Sequence, residues 1–180
     1  RSWSTSAAGI SDLADRLDQT SLVVVIGGDG TILRTVRVIA PFSVPIVGVN
    51  MGRVGVMTEL QLDQVLERLP NYLNGQTRIE ERTMLEASVN HLRDGHVTDP
   101  ISALNDVVVS RGGVARLLDI DAFVDEASLT SYRADAIIVA TATGSTGYAL
   151  SAGGPIIYPE GRVMLVQPVA PHIGLRDGLI

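Results

Sequence analysis

The chain has 180 residues, enough for one ordinary domain or two small ones, and 46% of them are hydrophobic, so it can bury a core and is not a disordered tail. A net charge of −6 argues against nucleic acid as a partner, and no apolar run approaches the roughly 20 residues of a membrane span. Neither cysteine nor lysine occurs, which excludes disulfides, thiolate catalysis, cysteine-bound zinc, Schiff-base chemistry and a Walker-type phosphate loop with its lysine. Bound phosphate must then be held by backbone N–H groups, a few arginines or a metal ion. The chain opens on Arg1, and residues 1–9 lack the apolar core of a signal peptide, so a soluble, cytoplasmic protein whose true start lies upstream is expected.

Ile10, Leu13, Ala14 and Leu17 recur at helical spacing. Residues 22–26 form a continuous apolar, β-branched run, predicted to be a strand buried on both faces. Two glycines end it, and Ile32, Leu33, Val36 and Ile39 mark a helix that stops before Pro41. A second buried strand is predicted over 45–49, followed by a glycine-bearing loop and a helix carrying Leu62, Val65, Leu66 and Leu69. This order predicts parallel strands with right-handed crossovers, in a doubly wound α/β lobe whose first strand is missing or upstream.

After about Asn74 the pattern changes. Residues 84–89 alternate at period two, Asp94-Gly95 is a hairpin signal, and 107–109 is another β-rich run. Gly112-Gly113 punctuates before 117–124, where apolar and acidic residues alternate. Further strands are predicted over 136–140 and 163–166, enclosing a glycine-rich stretch from 144 to 154. The fold class expected is an α/β N-terminal lobe, doubly wound and partly truncated, then a β-rich, sandwich-like C-terminal lobe incomplete at its end. The predicted domains are 1–75 and 76–180.

Four segments carry chemistry. Gly27-Gly28-Asp29-Gly30-Thr31 lies at the carboxyl end of a buried strand, where open α/β sheets bind ligands. Its glycines admit close approach of an anion, and the helix that follows offers free N–H groups and a positive dipole end. Asp29 repels phosphate, which makes sense if it faces a hydroxyl that must lose a proton, or a metal carried by a nucleotide; alternatively it caps the helix. Asn50–Glu59 is a loop with glycine hinges that could fold on a ligand, or a plain βα connection. Asn105-Asp106 pairs an amide with a carboxylate, able to grip a ribose edge or to turn the chain before a strand. From Asp135 to Pro155, hydroxyls and glycines after a buried strand can form a donor-rich wall, with Tyr148 offering a face for stacking.

The aspartate turn resembles that of NAD kinases, of diacylglycerol and sphingosine kinases and, more loosely, of phosphofructokinases. The other segments resemble NAD kinases in particular. Asn50–Glu59 is similar to their Asn-x-Gly-x-x-Gly-Phe-Leu-Thr-Glu, with Val56 and Met57 for Phe-Leu. Asn105-Asp106 stands where the family has Asn-Glu, with an acid one methylene shorter. The run from Asp135 resembles Asp-Gly-x-x-x-x-Thr-Pro-Thr-Gly-Ser-Thr-Ala-Tyr-x-x-Ser-x-Gly-Gly, with Ala136, Ala142 and Gly147 as departures. Arg116 and Arg133 sit where members carry basic side chains, and as bare residues read equally well as exposed strand charges. The run from Pro168 to His172 resembles Pro-Ile-x-Pro-His, with a structural role for the histidine, and Asp177 replaces the usual proline after Arg176. The resemblance runs from about Ser21 to Arg176, with both ends of the family pattern missing.

The resemblance implies transfer of the γ-phosphoryl of ATP, or of polyphosphate, to the adenosine ribose 2′-hydroxyl of NAD, giving NADP. Asp29 is then the catalytic acceptor of the hydroxyl proton, and Gly27, Gly28, Gly30 and Thr31 lie near the phosphates. Asp29, Gly30, Asn105, Asp106, Arg116, Arg133, Asp135, Thr146, Gly147, Tyr148 and Ser151 hold NAD. Mg²⁺ accompanies the ATP with no metal site of the protein's own, and a homodimer or homotetramer is implied. Residues 1–75 become the nucleotide-binding lobe and 76–180 the dinucleotide-binding lobe. A diacylglycerol-type lipid kinase and a non-catalytic NAD or NADP sensor are the competing readings.

Overall fold

The computed structural model describes residues 4–6, 9–10, 14–52, 55–111 and 117–180. The chain divides into two compact units, Arg1–Glu80 and Glu81–Ile180. The first is an α/β unit and the second is rich in sheet. No helix among the described residues is long and apolar enough to cross a membrane.

In the first unit a short helix, α1 (Ala14–Leu17), precedes strand β1 (Val23–Ile26), helix α2 (Asp29–Ile39) and strand β2 (Ile46–Asn50). A two-residue strand, β3 (Leu60–Gln61), leads through a 3-10 turn (Leu62–Gln64) into α3 (Val65–Leu73). The strands are parallel in the order β1-β2-β3, with Val23 opposite Ile46 and Val49 opposite Leu60. Helix α2 buries Ile32, Thr35, Val36 and Ile39, the i, i+3, i+4, i+7 stripe that 100° per residue places on one face.

Two expectations change here. Among the named strands β1 pairs only with β2, and Val24 and Ile26 are exposed, so the strand is not buried on both faces. Its apolar composition permits double burial, but a second covering layer has to exist before that composition matters. Helix α3 also begins later than predicted. Leu62 falls in the 3-10 turn and Leu66 is 92% exposed, while Val65, Leu69 and Tyr72 pack on the core formed by Val47, Val49 and Leu60. Leu66 lies about 100° around the helix from Val65, off that stripe. Leu13 lies outside the described residues.

The second unit opens with β4 (Leu85–Ala87) paired antiparallel to β5 (Ile101–Ala103). Between them the chain reverses at Asp94-Gly95: the N–H of Gly95 donates to the carbonyl of His91, and Asn90 bridges Val97. Strands β6 (Asp106–Ser110), β9 (Ala136–Thr141) and β10 (Met164–Val169) form an antiparallel sheet in the order β10-β9-β6. The central strand, β9, is almost wholly buried, and Ile138, Ala140, Leu165 and Ala149 make a core with no exposed surface. Strand β10 runs on through Pro168, beyond the predicted 163–166. A proline is tolerated there because β10 lies at the end of that sheet, where a missing N–H breaks no pairing with a further strand.

A hairpin of β7 (Leu118–Val124) and β8 (Ala127–Ala134) completes the unit. Strand β8 was not foreseen. Its turn is Asp125-Glu126, both at positive φ (47° and 69°), the backbone of a tight two-residue hairpin without the glycine that usually announces one. Gly112-Gly113 lies outside the described residues.

Ile138 has no exposed surface, so Ile138→Ala is expected to cost about 2–5 kcal/mol. At the exposed Leu66, alanine should stay within about 0.5 kcal/mol of the parent. Urea unfolding of both variants checks this, and equal costs would contradict the assignment of the core.

Candidate functional site

In the first unit the glycine turn links β1 to α2. The N–H of Gly27 extends the ladder by donating to Val49, and the N–H groups of Thr31 and Ile32 turn back to the carbonyl of Gly28. A Cβ on Gly27 would meet Thr31 Oγ1 at 2.5 Å, whereas nothing lies within 4 Å of one on Gly28 or Gly30. Thr31 therefore folds onto the first glycine, and the outer two leave the start of the helix open to an approaching group. That opening is what the free N–H groups of a helix N-terminus need in order to meet an anion.

Asp29 does not cap the helix. Gly28 is the N-cap residue and no side chain caps the end. The Asp29 carboxylate instead accepts from the N–H of Val56 through Oδ2 and from the N–H of Met57 through Oδ1, each at 3.2 Å. The loop that supplies these donors is itself anchored. The Gly48 N–H donates to Glu59 Oε2 at 2.6 Å, the Glu59 N–H donates to the Gly48 carbonyl, and the Gly52 N–H donates to Asn50 Oδ1. Arg53 and Val54, from the same segment, lie outside the described residues.

In the second unit the candidate residues gather at the carboxyl end of β9. The Thr141 N–H donates to the carbonyl of Asn105, and the Thr141 hydroxyl donates to the carbonyl of Leu104 at 2.6 Å while accepting from the Gly144 N–H at 3.0 Å. These bonds clamp the turn over Gly144–Thr146 against the start of β6. A Cβ on Gly144 would overlap the Asn105 backbone, so only glycine fits there. One on Gly147 would sit 3.7 Å from Asn105 Nδ2 and 3.9 Å from Asp106 Oδ2, so the Asn105-Asp106 pair and Gly147 share one small region. Asn105 Oδ1 is buried with no hydrogen-bond partner among the described residues, an acceptor left unmet in this region. Burial also raises the Asp106 carboxyl above its ordinary value of 3.8.

The hydroxyl wall is partly internal. Ser145 Oγ donates to the Ala142 carbonyl and accepts from the Ile157 N–H, and Thr146 Oγ1 donates to the Thr143 carbonyl. These hydroxyls brace the turn, because a tight turn leaves backbone groups that nearby Ser and Thr satisfy. Tyr148 and Ser151, in the short helix α4 (Tyr148–Ser151), are exposed. Asp135 is exposed between β8 and β9, and Arg133 faces Asp119 across the hairpin at 3.7 Å. His172 contributes its backbone, donating to the Arg133 carbonyl. Arg116 lies outside the described residues. Arg82, not foreseen, donates to the buried Thr143 hydroxyl at 3.4 Å. No motif marks it, since its partner is 61 residues away.

Residues 11–77 match the ATP-NAD kinase N-terminal domain and residues 104–180 the ATP-NAD kinase C-terminal domain. The chain belongs to the NAD kinase family. An NAD kinase of Heliobacterium modesticaldum is 47% identical over 161 residues, covering 89% of this chain and 56% of that protein. One of Dehalococcoides mccartyi is 41% identical over 179 residues, covering 99% of this chain and 62% of that protein. This family member thus spans little more than half the length of the relatives it matches. Among solved structures, yeast NADH kinase complexed with NADH superposes with a TM-score of 0.80 at 31% identity, over 89% of this chain and 47% of that one. An NAD kinase from Archaeoglobus fulgidus in complex with ATP gives 0.73 at 28% identity, over 98% and 73%.

Two outcomes follow for the second unit. Thr141→Val strands a buried carbonyl and a buried N–H and is expected to cost about 1–3 kcal/mol in urea unfolding; a neutral change would mean that the turn does not depend on this hydroxyl. For Asp106, a raised pKa in the folded state means that the folded chain holds that proton more tightly. The ionised group therefore costs stability at neutral pH, a cost absent below 3.8 and growing as pH rises through the raised value. Asp106→Asn should accordingly gain stability relative to the parent between about pH 3 and about pH 7, and a gap that narrows over that range would contradict the burial of this carboxyl.

Proposed function

We propose that this chain is the catalytic part of an NAD kinase, transferring the γ-phosphoryl of ATP to the adenosine ribose 2′-hydroxyl of NAD to give NADP. The observation that carries the reading is the Asp29 carboxylate, set on an open glycine turn at the end of a parallel strand and not used as a helix cap. The ligands of the two structural neighbours, NADH and ATP, support the choice of acceptor and donor. Polyphosphate as an alternative donor belongs to the same proposal, as does a homodimer or homotetramer.

In this reading Asp29 orients the 2′-hydroxyl and accepts its proton. Because proton loss is late in a loose phosphoryl-transfer transition state, placing the hydroxyl in line is the larger contribution. Gly27, Gly28, Gly30 and Thr31 lie along the phosphates at the start of α2, whose positive dipole end favours negative charge. Asn105 and Asp106 hold ribose hydroxyls, the unmet Asn105 Oδ1 accepting from one of them. Gly147, Tyr148 and Ser151 border the base, and Thr146 acts by bracing the turn. Arg133 and Asp135 contribute from the exposed junction beside β9, and Arg116 completes the basic set.

Among the described residues no three His, Asp or Glu side chains gather to hold a metal ion. Mg²⁺ is assigned to the nucleotide phosphates because the chain has no lysine to neutralise them, and it would supply that charge when bound. In domain terms, residues 1–75 form a doubly wound, partly truncated nucleotide-binding lobe and residues 76–180 a sandwich-like dinucleotide-binding lobe.

A coupled assay with ATP, Mg²⁺ and NAD, read by an NADP-specific dehydrogenase, tests the proposal. NADP formation is expected, and Asp29→Asn should lower kcat by at least about 10²-fold while sparing NAD binding. Phosphorylation of diacylglycerol in place of NAD, or NAD binding with no turnover, would replace this reading by a lipid kinase or a sensor.

A further inference from the structure

Asp29 receives its geometry from a segment 27 residues downstream, and one glycine there makes the arrangement possible. Val56 and Met57 offer successive N–H groups to the two carboxylate oxygens. Two donors on separate oxygens fix both the position and the plane of a carboxylate, which a single bond would leave free to rotate. Gly55 precedes them, and a Cβ there would strike Asp29 Oδ1 and crowd Cγ. The far end of the segment is tied to the sheet by the reciprocal Gly48–Glu59 bonds. A larger residue at 55 must therefore displace either the Asp29 carboxylate or a turn whose far end is anchored.

We propose that the Gly55–Val56–Met57 turn is the positioning element for Asp29, its main-chain N–H groups aiming the carboxylate and its glycine supplying the space. The role in turnover rests on the NAD kinase reading above; the physical coupling of Gly55 to Asp29 does not. The side chains of Val56 and Met57 are secondary, since it is their backbone that donates. Gly55 is the sensitive position because its substituent would occupy the place of the carboxylate itself.

Two measurements on the same variants test this. In thermal unfolding, Gly55→Ala should lower Tm by about 4 °C or more in the parent. With Asp29→Ala in the background, the same substitution should have little further effect, because the group it strikes is gone. In the coupled assay, Gly55→Ala should reduce kcat by roughly 10- to 100-fold, with the Kd for NAD from calorimetry within about 3-fold of the parent. Equal Tm losses with and without the carboxylate would overturn the coupling. So would a Gly55→Ala chain that fails to fold in both backgrounds, whereas folding restored by Asp29→Ala would support it. Unchanged kcat in a folded Gly55→Ala protein would overturn the positioning role. An inactive parent would overturn the functional reading instead, and the Tm comparison would still decide whether this turn holds Asp29.

Discussion

A carboxylate in the first turn of a helix has ready partners in the free N–H groups of that helix, and in this chain Asp29 takes others. Its two oxygens accept from Val56 and Met57, on a loop that leaves the neighbouring strand of the sheet. The helix start is thereby left with its donors and its dipole, and the acid is held beside them. A carboxylate beside the positive end of a helix keeps one orientation when both of its oxygens have donors of their own. The loop anchors at Gly48 and Asn50 hold those donors in place, and the glycine at 55 leaves room for the carboxylate.

The second unit meets its corresponding demand by other means. Strand β9 is buried along nearly its whole length, so its polar chemistry is confined to its end. There Thr141 bonds Leu104 and Gly144 at once, and Gly144 lies against the backbone of Asn105 with no room for a side chain. This close approach brings Asn105 and Asp106 up to Gly147. The family's alanine at position 147 would add a methyl group near van der Waals distance of the Asn105 amide; glycine leaves that space open. Asp106 is partly desolvated in the same place, which ties its ionisation to the integrity of the turn.

Much of this was legible in advance. The helical stripe of α2, the parallel pair β1 and β2, the reversal at Asp94-Gly95 and strands β6 and β9 all follow from periodicity and turn chemistry. Strand β8 was hidden by a turn of two acidic residues in a conformation that glycine normally signals. The start of α3 was misplaced because four leucine and valine positions offer overlapping apolar stripes, and only packing on Val47, Val49 and Leu60 selects one. The hydroxyls near Thr141 were legible as a cluster but not as a brace, since the carbonyls they meet lie on other segments.

The sequence by itself determined the family, because ordered motifs from Gly27 to Gly154 match it segment by segment. The tertiary structure decided how those residues are employed. Asp29 could have capped its own helix, and Thr141 and Ser145 could have faced a ligand; the choice depended on which backbone groups came within reach and lacked partners. Hydrogen bonds act over about 3 Å, and which atoms lie within that distance of Asp29 is a property of the folded first unit, not of the residues that flank it in the chain.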